Sequence, residues 1–415
     1  MSLYQANRAL SIATLVFACN FAVWVVFAAL GNELRQALAL SATEFGLLLA
    51  APLISGSVLR WPVGYLLERF SARRLWLVQM ALLLPALIAL DMVSSYGGYL
   101  AVGLWLGLAG CSFTIGLSYV SPWYDSAKQG TAMGVFGAGN AGAAVPLLLF
   151  PWLYDWSHGQ YLGWLMLVIM LVVMVLFKFA APKLPEAMKL PAMAPLKPWR
   201  ERRLWLHGLY YYFVFGSYLA LINWLPQYLM NAYGHSDNTA MLITALFILS
   251  SSMMRALGGW FADLYGAKAV NWGVFWVCLV CLFFLSYPPT SMTIHGIDKE
   301  VSFHIELPFI FFIALVFIMG IAQGFGRTAI FKDIRQHYPR QLPSASGFVA
   351  AIGALGGSSL LILFGIVEDL VGIYSASFML LYGVLAACMV AMYLAQAGEL
   401  KAQAYKQAVQ DNFLR

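Results

Sequence analysis

Apolar residues arrive in runs of about 20 along the whole chain, and each run ends in a short polar break. A run of that length crosses a hydrocarbon layer ~30 Å thick. Twelve can be read, near residues 9–31, 44–67, 74–95, 99–121, 130–154 and 161–181, then 204–231, 238–264, 268–288, 307–331, 343–367 and 373–396. Between the two sixes, residues 182–203 set Pro182, Pro185, Pro191, Pro195 and Pro198 among lysines and arginines, the composition of a linker. The expected organisation is therefore an N-terminal half at 1–181, a linker at 182–203, a C-terminal half at 204–396 and a polar tail at 397–415, read as a short surface helix. A second polar interruption runs from Pro288 to Pro308. The first run, Leu10 to Leu30, is too long for a secretory h-region and lacks a small-residue cleavage site, so it reads as a span.

Composition agrees with a membrane protein. Of 415 residues 62% are hydrophobic and only 10% charged, against roughly 25% charged in soluble domains. The net charge of +6 is spread over short loops, which is a topology signal and not a nucleic-acid stripe. One side of the layer collects nineteen lysines and arginines, among them Arg69, Arg73, Lys178, Lys268 and Lys332; the other has Arg35 and Lys299. Basic loops stay inside, so both termini are expected in the cytoplasm of a cell whose inner membrane holds this chain. Cys19, Cys111, Cys278, Cys281 and Cys388 all lie in apolar runs, and even the C-x-x-C pair reads as helix packing. Neither metal nor cofactor is expected, and the chain is expected to act as a monomer.

A repeat follows from comparing the two sixes. Arg60-Trp-Pro-Val-Gly64-Tyr-Leu-Leu-Glu68-Arg69-Phe-Ser-Ala-Arg73 matches Arg255-Ala-Leu-Gly-Gly259-Trp-Phe-Ala-Asp263-Leu-Tyr-Gly-Ala-Lys268, at a constant offset of 195. Glycine, acid and base recur at the helix end, and an arginine recurs on the same helix face one turn deeper than the glycine. Arg60 lies eight residues inside Glu68, roughly 12 Å along a helix. A single arginine there could snorkel to the surface. Two at equivalent places read as a pair facing a central cavity, because charge inside a membrane is costly and usually functional. The 18 acidic residues and six histidines all fall near the ends of the runs or in loops, so no carboxylate is expected to neutralise the pair. Two permanently charged guanidiniums without counter-charges call for an anion, and a planar oxyanion fits the two-pronged fork.

The doubled Gly-x-x-x-acid-base motif resembles the loop motif of the major facilitator superfamily, whose fold is two pseudo-symmetric six-helix halves with substrate near the midplane. Gly64, Glu68, Arg69, Arg73, Gly259, Asp263 and Lys268 then read as a cytoplasmic gate. Within that superfamily the chain resembles the nitrate/nitrite porters. Residues 134–143, around Gly139-Asn140-Ala-Gly142, are similar to that family's nitrate signature, and Gly347 to Gly357 is a weaker counterpart. Helix 1 into helix 2 (Val23-Trp24 to Gly46) and helix 7 (Phe215-Gly216-Ser217 to Pro226) are similar too. Gly137-Ala-Gly139-Asn140-Ala-Gly142 also spells G-x-G-x-x-G, but no strand precedes it and no acid follows about 20 positions on, so helix packing is the better reading.

The resemblance implies a secondary transporter of nitrate and nitrite, not an enzyme, with the anion between Arg60 and Arg255. Asn140 would add an amide, and aromatic rings would sandwich the substrate: Phe113, Tyr211 and Phe215 by motif match. Tyr211 and Phe215 are one turn apart on one helix face. Gly139 and Gly356 are further candidates. One departure stands out: helix 10 reads Gly324-Phe-Gly326-Arg327-Thr-Ala-Ile-Phe-Lys332 where the family commonly has Gly-Asn-Gly-Ala-Val-Phe-Lys. Arg327 is either a third cavity charge or a gate residue at the cytoplasmic mouth. Since no titratable residue falls in a predicted helix interior, nitrate/nitrite exchange is expected, with proton-coupled symport or transport of a small carboxylate or phosphate as alternatives.

Overall fold

The breaks between apolar runs carry the signals that start helices. Ser41 accepts a hydrogen bond from the Glu44 amide at 3.2 Å while the Glu44 carboxylate accepts from the Ser41 amide at 2.9 Å, a reciprocal cap. Ser71, Ser95 and Ser236 each cap a helix start one-sidedly, the side-chain oxygen accepting from the amide three residues on. A computed structural model describes residues 3–125, 128–157, 161–183, 196–295, 297 and 299–413. Most of the linker, residues 184–195, lies outside the described residues.

Among the described residues, eleven helices are long and apolar enough to cross a membrane. They are α1 (Leu3–Ala37), α2 (Ala42–Arg69), α3 (Ala72–Leu90), α4 (Tyr96–Trp123), α5 (Gln129–Leu153), α6 (Leu162–Ala180), α8 (Asp237–Tyr265), α9 (Ala267–Leu285), α10 (Phe309–His337), α11 (Leu342–Val371) and α12, whose crossing part is Ala376–Lys401. The twelfth is α7, which runs through Arg202–Tyr211, a π-helical stretch at Tyr212–Ser217, and Tyr218–Tyr233. Twelve crossings put both ends of the chain on one face, called here the terminal face. Two expectations from the sequence change. The tail is not a separate surface helix, because α12 continues unbroken to Phe413. The interruption after α9 is an exposed antiparallel hairpin, β1 (Thr290–His295) with β2 (Glu300–Ile305).

The first six helices meet the last six along two seams, α2 with α11 and α5 with α8. Small residues make the seams close. A Cβ on Gly64 would come 2.8 Å from the Pro343 carbonyl, one on Gly365 2.2 Å from that of Ala42, and one on Gly259 2.2 Å from that of Gly130. Such approach is what small residues contribute between helices in lipid.

Carboxylates from one six cap helices of the other, at both faces. On the terminal face, Asp263 at the end of α8 accepts from the Thr131 amide and hydroxyl, both at 3.0 Å, satisfying an orphan N–H in the first turn of α5. Its other oxygen pairs with Lys332 at 2.6 Å. On the opposite face, Asp369 at the end of α11 accepts from the Ala42 and Thr43 amides at 3.1 and 2.7 Å, in the first turn of α2. Beside it Arg35 pairs with Glu368 at 3.1 Å. Both mouths are closed, so the arrangement is occluded.

Neutralising the terminal-face cap is expected to loosen that mouth. In Asp263→Asn, a cysteine placed at Ser344, buried beside Gly64, should react faster with a membrane-impermeant thiol reagent applied from the terminal face. Unchanged labelling would show that Asp263 holds nothing shut.

Candidate functional site

Three of the helices that surround the buried arginines depart from α geometry partway along. Gly107–Cys111 in α4 and Ala138–Ala143 in α5 tighten to 3₁₀ geometry, and Tyr212–Ser217 in α7 widens to π. Such irregularities free backbone groups and re-aim side chains, and they often mark functional positions. The three arginines of the helix interiors meet there. Arg60, Arg255 and Arg327 are all at most 1% exposed.

Arg60 reaches from α2 into this freed backbone. Its Nε donates to the Gly110 carbonyl at 2.8 Å and its Nη1 to the Ala350 carbonyl of α11 at 3.0 Å. Its Nη2 is buried without a partner. The guanidinium lies 4.4 Å from the Trp24 ring centroid, 5.4 Å from Phe215 and 5.9 Å from Phe113. Arg255 approaches the same Phe113 ring at 5.6 Å, and its Nε is likewise buried and unpartnered. Two guanidiniums from different sixes thus share one phenyl ring, and each keeps a donor unused. An unmade hydrogen bond at a buried donor costs more than a made one gains, so these nitrogens are the natural grip for an acceptor.

Asn140 is buried between Arg255 and Arg327. With its amide oxygen turned toward them it accepts from Arg255 Nη1 at 2.9 Å and Arg327 Nη1 at 3.0 Å; the reverse orientation sets donors against donors. Sequence reasoning expected Asn140 to offer the ligand an amide donor; its oxygen is engaged by arginine, and the donor is the NH2 group on its other side. Arg327 is not at the mouth. It lies at the same buried centre, its guanidinium 3.8 Å from the Tyr218 ring centroid. Among the described residues no carboxylate pairs with any of the three arginines.

The expected aromatic residues converge. Tyr211 and Phe215 stack at 4.8 Å with their planes 12° apart, and Phe331 packs its edge on both Tyr211 (4.8 Å) and Phe113 (4.9 Å). Trp24 stacks on Phe215 at 6.3 Å and anchors its indole N–H on the Pro52 carbonyl at 2.8 Å. Trp24 and Phe331 stand in segments that carry the family resemblance, but neither was expected in the site from the sequence. Of the glycines, Gly139 packs α5 on Phe17 and Thr14 of α1, and Gly356 packs α11 on Tyr212, so neither touches the guanidiniums. Gly137 and Gly353 do the closer work. A Cβ on Gly353 would fall 2.1 Å from the Tyr211 ring, and one on Gly137 2.4 Å from the Arg255 guanidinium.

Gly137→Ala is therefore expected to displace Arg255 without unfolding the helix, since alanine favours helix over glycine. Anion binding by the purified variant should fall roughly tenfold or more, as small misplacements of gripping groups do. Binding equal to the parent's would show that Arg255 tolerates the displacement.

The remaining gate candidates separate. Gly64, Gly259 and Asp263 lie at the seams described above. Lys268 pairs instead with Glu399 of α12 at 2.5 Å, and Arg203 joins that carboxylate at 3.4 Å. Arg73 donates to the Lys178 carbonyl, Arg69 is exposed, and Glu68 keeps a buried oxygen without a partner. Toward the terminal face, α10 runs past its expected end to His337, and there Asp333 meets His207 of α7 at 2.6 Å, both buried near the ends of their helices.

Twelve crossing helices, with residues of both sixes meeting at a buried centre between two closed mouths, define a membrane carrier. The family model of the Major Facilitator Superfamily matches residues 11–298. A probable nitrate/nitrite antiporter of Thermus thermophilus is 31% identical over 93% of this chain and 91% of its own length. The nitrite extrusion protein of Bacillus subtilis is 30% identical over 90% of each. A probable nitrate transporter of Staphylococcus aureus is 28% identical over 94% of this chain and 97% of its own. Among solved structures, the human organic anion transporter MFSD10 superposes with a TM-score of 0.73 over 93% of this chain and 99% of its own, at 13% identity, a likeness of fold. The chain belongs to the major facilitator superfamily and, within it, to the nitrate/nitrite porter family.

Proposed function

We propose that this protein carries nitrate and nitrite across the inner membrane by alternating access, exchanging one for the other. The observation that supports this most is the pair of unused buried donors, Arg60 Nη2 and Arg255 Nε, on guanidiniums that flank Phe113. A small planar oxyanion accepts from both forks and presents its faces to aromatic rings, and the relatives' names point to the same substrate. The halves are residues 1–181 and 204–396, and they rock about the anion. Opening toward the terminal face parts the Asp263 cap from α5; opening the other way parts the Asp369 cap from α2. The excess of lysine and arginine supports a cytoplasmic terminal face.

Competition among anions tests the substrate. Nitrate uptake into vesicles should be inhibited by nitrite and spared by acetate and phosphate. Inhibition by phosphate or a carboxylate, with none by nitrite, would move the protein to another anion.

A second reading rests on His207. Its Nδ1 faces the Arg203 carbonyl at 2.7 Å and its Nε2 faces Asp333, so both ring nitrogens meet acceptors. Satisfying both requires an extra proton on the pair. Such a proton site on α7 and α10 favours proton-coupled symport. By contrast Asp91, the carboxylate just after α3, is spent on capping α6 through the Gly163 and Trp164 amides.

A further inference from the structure

We propose that Arg327 is a positioning residue: through the shared oxygen of Asn140 it fixes the guanidinium of Arg255, and so sets how tightly the site grips its anion. The inference rests on the reading of Arg60 and Arg255 as the anion's ligands.

Arg327 and Arg255 differ in what their nitrogens have left to give. Arg327 Nε donates to the Gln323 carbonyl at 3.2 Å, one turn back on its own helix. Its Nη2 donates to both the carbonyl and the hydroxyl of Ser251, at 3.1 and 2.6 Å. Its Nη1 donates to Asn140. One face of the guanidinium lies on Tyr218. Every nitrogen has a protein partner, and these bonds engage four of the five N–H groups, so Arg327 is spent on protein partners where Arg255 is not. Gln323 is itself held, donating to the Ser217 hydroxyl at 2.8 Å. Arg255, by contrast, has Nη1 tied to Asn140 and Nε free.

The connection therefore runs in one direction. α8 and α10 hold Arg327, Arg327 holds the Asn140 oxygen, and that oxygen holds the end of Arg255 whose Nε remains for the anion. A carbonyl oxygen has two lone pairs and serves two donors at once. If Arg327 left, the Asn140 amide could rotate, and with it the fork of Arg255. Lysine would keep the charge yet lose the planar set of donors that reaches Gln323, Ser251 and Asn140 together. The bridge also spans the two sixes, α5 on one side and α8 with α10 on the other, so it forms at the anion's depth as they close.

A double-mutant cycle on the purified full-length protein tests the relay, with nitrate binding and the nitrate-to-nitrite affinity ratio as readouts. Arg327→Lys and Asn140→Ala are each expected to weaken nitrate binding about tenfold and to move the ratio in the same direction. The double variant should be within about twofold of either single one, because both remove the same support. Additive losses, about a hundredfold in the double variant, would show that Arg327 acts on the anion independently of Asn140. Parental binding in Arg327→Lys would show that charge alone matters. Either result overturns the proposal. Should Arg327→Lys fail to fold, Ser251→Ala removes one tether of Arg327 more gently; its expected loss of about threefold should vanish in the Asn140→Ala background, and a loss that persists there overturns the relay. If the parent binds another anion in place of nitrate, the substrate reading fails, and the same cycle run with that anion still decides the role of Arg327.

Discussion

Replacing Arg60 or Arg255 by lysine is expected to weaken nitrate binding tenfold or more in a protein that still folds. Charge is conserved in both variants, so the loss reports geometry. Arg60 uses Nε and Nη1 on the Gly110 and Ala350 carbonyls, and these bonds aim the third nitrogen. A lysine ammonium has three donors on one flexible point and cannot hold both carbonyls while facing the anion in the plane of the fork. A hydrogen bond to a charged group contributes roughly 1.5–3 kcal/mol, and 1.4 kcal/mol is a factor of ten. Arg255→Lys should lose more, because Asn140 would then be left with a single arginine to accept from. Titration of each purified variant with nitrate measures this directly. Parental affinity in either one removes that arginine from the site.

Much of this centre was legible because it is repeated. The offset of 195 that relates Arg60 to Arg255 also relates Gly64 to Gly259 and Glu68 to Asp263, and chance does not align three such types on helical spacing. Tyr211 and Phe215 came from the family resemblance, with their spacing of one turn within a helix in support. What stayed hidden depends on tertiary placement. The carbonyls of Gly110 and Ala350 have no side-chain signature, and the 3₁₀ and π stretches that expose backbone near the site follow no simple residue rule. Trp24 and Phe331 sit in apolar runs where any aromatic residue looks like packing. The pair of His207 and Asp333 was missed because α10 continues six residues beyond its expected end at 331, carrying Asp333 into the helix. The two caps, Asp263 on α5 and Asp369 on α2, became visible only when distant helix ends were brought together. The two copies of the repeat differ here: in the first, Glu68 occupies the place that Asp263 has in the second, yet it caps nothing among the described residues and keeps a buried oxygen unpartnered.

Nitrate entry should depend on an anion leaving. Three buried guanidiniums that meet no carboxylate among the described residues make closure around no anion expensive, on the order of several kcal/mol per uncompensated ion. A bound oxyanion offsets part of that cost, so the loaded carrier reorients faster than the unloaded one. Even a few kcal/mol separates the two rates by a hundredfold or so. Vesicles loaded with nitrite are therefore expected to take up nitrate at least tenfold faster than vesicles loaded with inert buffer, with or without external acid. If external acid alone drives strong uptake into nitrite-free vesicles, the exchange reading is wrong and the pair of His207 and Asp333 becomes the proton site. In that case His207→Gln should abolish the acid-driven uptake, whereas under exchange it leaves the dependence on internal nitrite intact.

Counterflow tests the central claim most directly, since it asks for binding, occlusion and exchange in one trace. Vesicles containing the purified protein are preloaded with millimolar unlabelled nitrite and diluted into a trace of isotopically labelled nitrate at equal pH on both sides. The expected result is a transient overshoot of label above its external concentration, decaying as internal nitrite runs down, and lost in Arg60→Lys. Label that rises only to the external concentration, at the rate of protein-free vesicles, would contradict a nitrate/nitrite exchanger built on the paired arginines.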